Sequence, residues 1–154
     1  NFMDYLLDTN LIIIYSRESR IAKKIEDDYK LFDEKNSLAI SVVTLGEIDA
    51  FTKKLGIGDR RKRKIEAVVS RLAIVSINTK EIITRYGDID AFSQRKLKQD
   101  KGNFSARNMG KNDIWIAATA SAYDLTLLTT DKDFDHLRGE YLKLEYLDIE
   151  KYKD

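Results

Sequence analysis

Cysteine and proline are both missing from the 154 residues, and histidine occurs once. The lack of cysteine excludes a disulfide framework and cysteine metal sites. The lack of proline carries no functional reading. No apolar run approaches the roughly 20 residues of a membrane span, so no membrane association is expected. Charge of one sign is also scarce, since the formal net charge is +1, and no global field announces a nucleic-acid partner. The opening Asn1-Phe2-Met3-Asp4 has no basic n-region and no cleavage pattern, so no signal peptide is expected, and Asn1 and Phe2 read as an expression remnant. What remains is a globular composition, 43% hydrophobic and 34% charged, without repeats, low-complexity tracts or linkers. A single domain over residues 1–154 in the cytoplasm is the expectation.

The most informative stretch is Asn112-Asp113-Ile114-Trp115-Ile116-Ala117-Ala118-Thr119-Ala120, followed by Leu125-Thr126-Leu127-Leu128-Thr129-Thr130-Asp131. Asn112 reads as an N-cap, which places Asp113 in the first helical turn, where the helix dipole favours negative charge. Ile116, Ala117 and Ala120 share its face at helical spacing and are small enough to lie flat on a sheet. The strand that follows ends just before Asp131, where open parallel sheets bind ligands. The plain alternative is one aspartate at a helix start and another in a loop.

Taken in order, Tyr5-Leu6-Leu7-Asp8 is a short apolar strand ending on a carboxylate, and Leu11 to Tyr15 a buried helical turn. Arg20 to Asn36 reads as an amphipathic helix with Ile21, Ile25, Tyr29 and Phe32 on one face. Leu38 to Val43 is a second strand. Thr44-Leu45-Gly46-Glu47 fits a capping box opening a helix through about Leu55, in which Glu47 reaches back to the Thr44 N–H. Gly56 to Gly58 breaks that helix. A second one completes a hairpin through Leu72 and carries Arg60, Arg61, Lys62, Arg63 and Lys64 in succession. Such runs are usually solvated, yet five adjacent cations repel each other and invite a polyanion. Ile74 to Ile77 is a third strand. Asn78 or Thr79 caps a helix whose core face reads Ile82, Tyr86, Ile89, Ser93 and Leu97. Lys101 to Lys111 is a polar loop with Arg107, residues 132–137 a helical turn, and Leu142 to Leu147 an edge strand, after which charged terminal residues fray. This alternation argues for an α/β fold with a mostly parallel sheet covered by helices on both faces.

On such a sheet Asp8, Glu47, Asp113 and Asp131 all map to the carboxyl edge. Carboxylates converging without a cation repel, so a divalent metal is implied. Oxygen donors, no cysteine and one histidine favour Mg²⁺ or Mn²⁺ over Zn²⁺. Carboxylate-held Mg²⁺ is standard equipment of phosphodiester hydrolysis.

Four segments carry a family resemblance: Leu6-Leu7-Asp8-Thr9-Asn10, Ser41-Val42-Val43-Thr44-Leu45-Gly46-Glu47-Ile48, Asp113 to Ala120, and Leu128-Thr129-Thr130-Asp131-Lys132-Asp133-Phe134. Tyr86-Gly87-Asp88-Ile89 falls where a similar helix is frequent. In this order and spacing they resemble PIN-domain ribonucleases, specifically the VapC toxins of bacterial and archaeal toxin–antitoxin pairs. The resemblance implies a PIN-like three-layer α/β/α sandwich with about 4–5 strands. It also implies metal-dependent hydrolysis of RNA (tRNA or rRNA among the targets), a homodimer, and inhibition by a small antitoxin protein. Asp8, Glu47 and Asp113 match the three best-defined acids of the family. Asp131 matches a fourth position, for which Asp133 and Asp135 compete, and Thr9 and Asn10 fall beside the metal. Arg107, Lys111 and Asn112 have no family counterpart, so Arg107 and Lys111 join Arg60, Arg61, Lys62 and Arg63 as candidate RNA contacts on charge alone.

Other functions fit less well. A receiver-type signalling domain needs an acidic pair after its first strand and a phosphoacceptor ending a central one, but only Asp8 and the run Val75-Ser76-Ile77-Asn78 are present. A haloacid-dehalogenase-type phosphatase needs a second aspartate two residues beyond Asp8. The remaining alternative is a catalytically weak PIN-like module that binds RNA or protein. His136 reads as a surface or helix-end residue rather than a general base, and Trp115 as core or dimer interface.

Overall fold

The structure is a computed structural model that describes residues 4–97 and 103–153. Asn1, Phe2, the Lys101 start of the polar loop and Asp154 lie outside the described residues. Five strands form the sheet: β1 (Asp4–Leu7), β2 (Ser37–Ser41), β3 (Ala73–Val75), β4 (Thr126–Thr129) and β5 (Lys143–Tyr146). Their order is β3-β2-β1-β4-β5, and every neighbouring pair is parallel. Six α-helices are described: α1 (Thr9–Ser16), α2 (Arg20–Tyr29), α3 (Val42–Lys54), α4 (Asp59–Val69), α5 (Lys80–Ser93) and α6 (Lys111–Ala122).

Alternation along the strands divides the core in two. Leu6, Ala39, Leu127 and Leu144 point to one face and pack with Ile82, Ile89 and Phe92 of α5 and Ile116, Ala117 and Ala120 of α6. Tyr5, Leu7, Ile40 and Leu128 point to the other, against Leu11 and Ile12 of α1, Ile25 of α2, Ile48 of α3 and Ile65 of α4. Because both faces are covered, the inner strands read as unbroken apolar runs. This is the three-layer α/β/α sandwich expected.

The chain leaves β1 for β2 on one side, while β4 lies on the other, and the Asp8 N–H donates to the Leu128 carbonyl at 2.9 Å. The carboxyl ends of β1 and β4 therefore flank the switch point at which such sheets hold ligands.

Several boundaries differ from the sequence expectation. Helix α2 ends at Tyr29 rather than Asn36, because Lys30 turns left-handed (φ 49°). The Glu26 carboxylate accepts the Leu31 and Phe32 N–H groups, both at 3.0 Å, together with the Tyr15 hydroxyl at 2.9 Å. That satisfies the reversal. Strand β2 stops at Ser41, whose hydroxyl caps α3 by accepting from the Val43 N–H at 3.1 Å. Thr44 is thus a fully buried helix residue, not a cap, and the expected capping box does not form. Thr79 rather than Asn78 caps α5, accepting from Ile82 N–H at 3.2 Å. Leu97 lies beyond the end of α5 and is exposed. Gly110, not Asn112, is the N-cap of α6, which leaves Asp113 in its first turn. The terminus does not fray at once: Ile149–Tyr152 forms a 3-10 turn, and the Tyr152 hydroxyl donates to Asp28 at 2.8 Å.

Candidate active site

Asp8 follows β1 and caps α1. One carboxylate oxygen accepts the Thr9 N–H at 2.9 Å, and the other accepts the Thr129 hydroxyl at 2.7 Å. The side chain is buried, at 8% exposure. Burial pushes its pKa up, Glu47 and Asp131 add to that, and the Thr129 and Thr9 bonds oppose it. Thr129 serves twice, since its oxygen also accepts the Asp131 N–H at 3.0 Å.

Glu47 projects from α3 toward α1, where its carboxylate accepts the Thr9 hydroxyl at 2.6 Å. The Thr9 and Thr44 hydroxyls lie 3.0 Å apart. Thr9 has one hydroxyl proton, already given to Glu47, so Thr44 is the donor in that second contact. The early start of α3 creates this arrangement, because Thr44 turns inward and Glu47 is released from any capping duty.

Asp113 enters from α6. Burial, followed by Asp8, Asp131, Glu47 and Asp133, pushes its carboxyl up to about 7. Asp131 caps a 3-10 turn at Lys132–Leu137 by accepting the Asp133 N–H at 2.9 Å. Oxygens of Asp113, Asp131 and Asp133 all lie within 4.8 Å of one another. This donor set fits a hard divalent cation: three carboxylates, no thiol, and charge that goes partly protonated when nothing neutralises it. Asp135, by contrast, acts electrostatically on His136. Of the rivals for the fourth acid, Asp131 and Asp133 both reach the cluster.

Other expected residues are placed less centrally. The Asn10 amide is exposed and donates to the Thr130 hydroxyl at 3.3 Å. Asn112 borders a depression of about 590 Å³ shared with Glu47 and Lys54. Lys111 is exposed at the start of α6, two residues before Asp113. Arg107 is pinned through its backbone N–H to the Ser93 carbonyl at 2.8 Å. Arg60, Lys62 and Arg63 are exposed on α4. Arg61 donates to Ser16 at 3.4 Å and Lys64 pairs with Glu18 at 3.2 Å. Both contacts sit at the far end of α1 from Thr9, roughly 12 Å along the helix. These contacts hold Arg61 and Lys64 toward that end of α1.

His136 stands in the last turn of the 3-10 helix, the helix-end place expected, but not on the open surface. It is half-buried with its ring 5.1 Å from that of Phe104, and its Nε2 lies 2.7 Å from the Ser93 hydroxyl. Burial, helped by Arg107, lowers its pKa to about 4. Trp115 is half-buried against Tyr86, with ring centroids 4.2 Å apart. Sequence reasoning missed the parts played by Thr129 and Thr44. The available signal was a hydroxyl residue adjoining an apolar run, Val42-Val43 before Thr44 and Leu127-Leu128 before Thr129, which must find a partner when buried.

The sequence pattern of the PIN domain matches residues 5–140. The chain belongs to the PIN-domain family. Among curated relatives, Ribonuclease VapC2 of Rickettsia felis is 30% identical to this PIN domain over 140 residues, covering 88% of this chain and 92% of that one. Among solved structures, the R. felis VapBC2 complex bound to a promoter DNA fragment superposes with a TM-score of 0.75 at 24% identity, over 95% of this chain and 100% of that one. VapBC-1 of nontypeable Haemophilus influenzae gives a TM-score of 0.65 at 25% identity, with 94% and 98% covered. The fold of this PIN domain is therefore that of VapC chains, and its five acids stand at the carboxyl edge of the sheet.

Proposed function

We propose that the chain is a divalent-metal-dependent endoribonuclease, the VapC-type toxin of a toxin–antitoxin pair, acting as one domain. The observation that carries this reading is the convergence of Asp113, Asp131 and Asp133 within 4.8 Å, backed by Asp8 and Glu47, at the switch point of a PIN domain. The relative named as a ribonuclease supports the activity.

Asp113, Asp131 and Asp133 would hold Mg²⁺ or Mn²⁺ together with Asp8, whose charge acts directly on Asp113. When bound, such an ion acidifies water and neutralises charge on a phosphate being attacked. The chain's own contribution is orientation. Thr9 N–H and Thr129 fix both oxygens of Asp8, so its carboxylate cannot turn away. The Thr44–Thr9–Glu47 chain of hydrogen bonds holds Glu47 against α1, where it can take up a proton from attacking water. Lys111, exposed two residues before Asp113, would supply a cation for a phosphate backbone, and Arg107, whose charge reaches His136, a second one further along the chain.

The expected substrate is RNA, with tRNA and rRNA as targets to test, and the working form a homodimer. Neighbouring VapBC complexes support a small antitoxin partner. We expect it to lay apolar residues in the open groove of about 490 Å³ between α3 and α4, lined by Leu45, Ile48, Thr52, Ile65 and Val69. Brief induced expression followed by sequencing of RNA 5′ ends tests the function. Discrete new ends that depend on Asp113 support it, and an unchanged RNA population sinks it.

A further inference from the structure

Ser93, the last residue of α5, is fully buried and touches two separate arms of the acidic cluster. Its hydroxyl lies 2.7 Å from His136 Nε2 and 3.3 Å from Met109 Sδ, and its carbonyl accepts the Arg107 N–H at 2.8 Å. His136 belongs to the same 3-10 turn as Asp133. Arg107 and Met109 belong to the stretch that runs into α6 and Asp113, and residues 103–110 of that stretch form neither helix nor strand.

We propose that His136 and Ser93 act together as positioning residues, locking the turn that carries Asp131 and Asp133 to the segment that delivers Asp113. The proposal rests on the metal-site reading above. The turn does not need His136 in order to be buried, because Phe134 and Leu137 are both fully enclosed on the same turn. What the imidazole–hydroxyl bond adds is direction. Phe104 completes the lock: its ring stands 5.0 Å from Phe92 and 5.1 Å from His136, with the Arg95 guanidinium 4.7 Å from its centroid. The irregular segment is thereby held to α5 by ring packing, by one backbone bond and by the Ser93 hydroxyl. Carboxylates from two arms serve one small cation only if their spacing is maintained, since Mg²⁺ tolerates little departure from octahedral bonds of about 2.0–2.1 Å. Partners behind the ligands set that spacing.

The test uses the full chain and Mn²⁺ alone, with affinity read by paramagnetic resonance or calorimetry and melting temperature measured in parallel. Ser93→Ala removes the hydroxyl with little change of volume, and His136→Phe keeps the ring but not the bond. Each is expected to weaken Mn²⁺ binding about tenfold. The double variant should bind no worse than either single one, because both changes break the same link. His136→Gln, which can present an amide near the place of Nε2, should recover most of the affinity. RNA cleavage should fall in kcat, with KM moving less than twofold. Wild-type Mn²⁺ affinity in Ser93→Ala and His136→Phe, or losses that multiply in the double variant, would overturn the proposal. A wild-type chain that fails to bind Mn²⁺ overturns instead the metal-site reading beneath it.

Discussion

The Thr129 hydroxyl donates to the Asp8 carboxylate over 2.7 Å, although the two residues are 121 positions apart. The bond joins the carboxyl ends of β1 and β4 at the switch point, and the same oxygen takes the Asp131 N–H. One side chain thus holds an acid from each strand.

Thr129→Val keeps the shape and removes both bonds. A buried carboxylate left one partner short costs about 1–3 kcal/mol, so urea unfolding should show a loss of that size. Thr129→Ser should restore most of it. Cleavage should fall with Val and return with Ser. Unfolding of Thr129→Val that matches wild type would mean that the bond contributes nothing to Asp8.

Asp8→Asn and Asp113→Asn should each abolish RNA cleavage while the far-ultraviolet circular dichroism stays native. An amide keeps the volume and loses the anionic donor. Excess EDTA should silence the wild type, with Mg²⁺ or Mn²⁺ restoring it. Undiminished cleavage in EDTA would falsify the metal mechanism.

Stability should depend on pH in two opposed ways in metal-free buffer. Asp113 goes from an ordinary 3.8 up to about 7 in the fold, so it favours the folded state fully at low pH, and that help is lost as pH rises through about 7. The melting-temperature gain of Asp113→Asn over wild type should therefore be largest near pH 8 and shrink toward pH 5. His136 runs from 6.5 down to about 4, so its neutral ring favours the fold above 6.5 and this is lost as pH falls toward 4. The gain of His136→Phe over wild type should grow below pH 6.5. Saturating Mg²⁺ should stabilise wild type more than Asp113→Asn, by ligand linkage. An Asp113→Asn variant less stable than wild type at pH 8 in EDTA would make that carboxylate structural.

Inhibition should compete with metal. An acidic pocket is best blocked by a fixed cation, and arginine binds carboxylates bidentately. We expect the antitoxin to place an Arg or Lys against Asp8, Glu47 or Asp113. Excess Mg²⁺ should then weaken the complex more than NaCl of matched ionic strength. Co-expression with the neighbouring small open reading frame, copurification and a cleavage assay check this. A partner that copurifies and leaves cleavage intact defeats the model.

The parallel sheet was legible because a strand buried on both faces must be apolar throughout, as Leu6-Leu7 and Leu127-Leu128 are. Asp8 and Asp131 were legible as the first charged groups past those strands. The helix starts were not. Ser41 took the cap that Thr44 was expected to provide, since the buried Thr44 has a partner in Thr9, thirty-five positions away. Gly110 took the place expected for Asn112 without a side-chain cap bond. The end of α2 depends on Glu26 accepting two N–H groups ahead of it, which helical periodicity does not report. His136 and Ser93 lie 43 positions apart, and neither betrays the other locally.

The parallel pairing of β1 with β4 also sets when the site can exist. At roughly 5–20 residues per second of synthesis, Asp131 leaves the ribosome about 6–25 s after Asp8. Until then the central strand lacks one neighbour, and Asp8 lacks the Thr129 hydroxyl that fixes it. A chain released just before β4 therefore carries Asp8, Glu47 and Asp113 without Asp131 and Asp133. The strand order leaves the acidic cluster incomplete until β4 has been made.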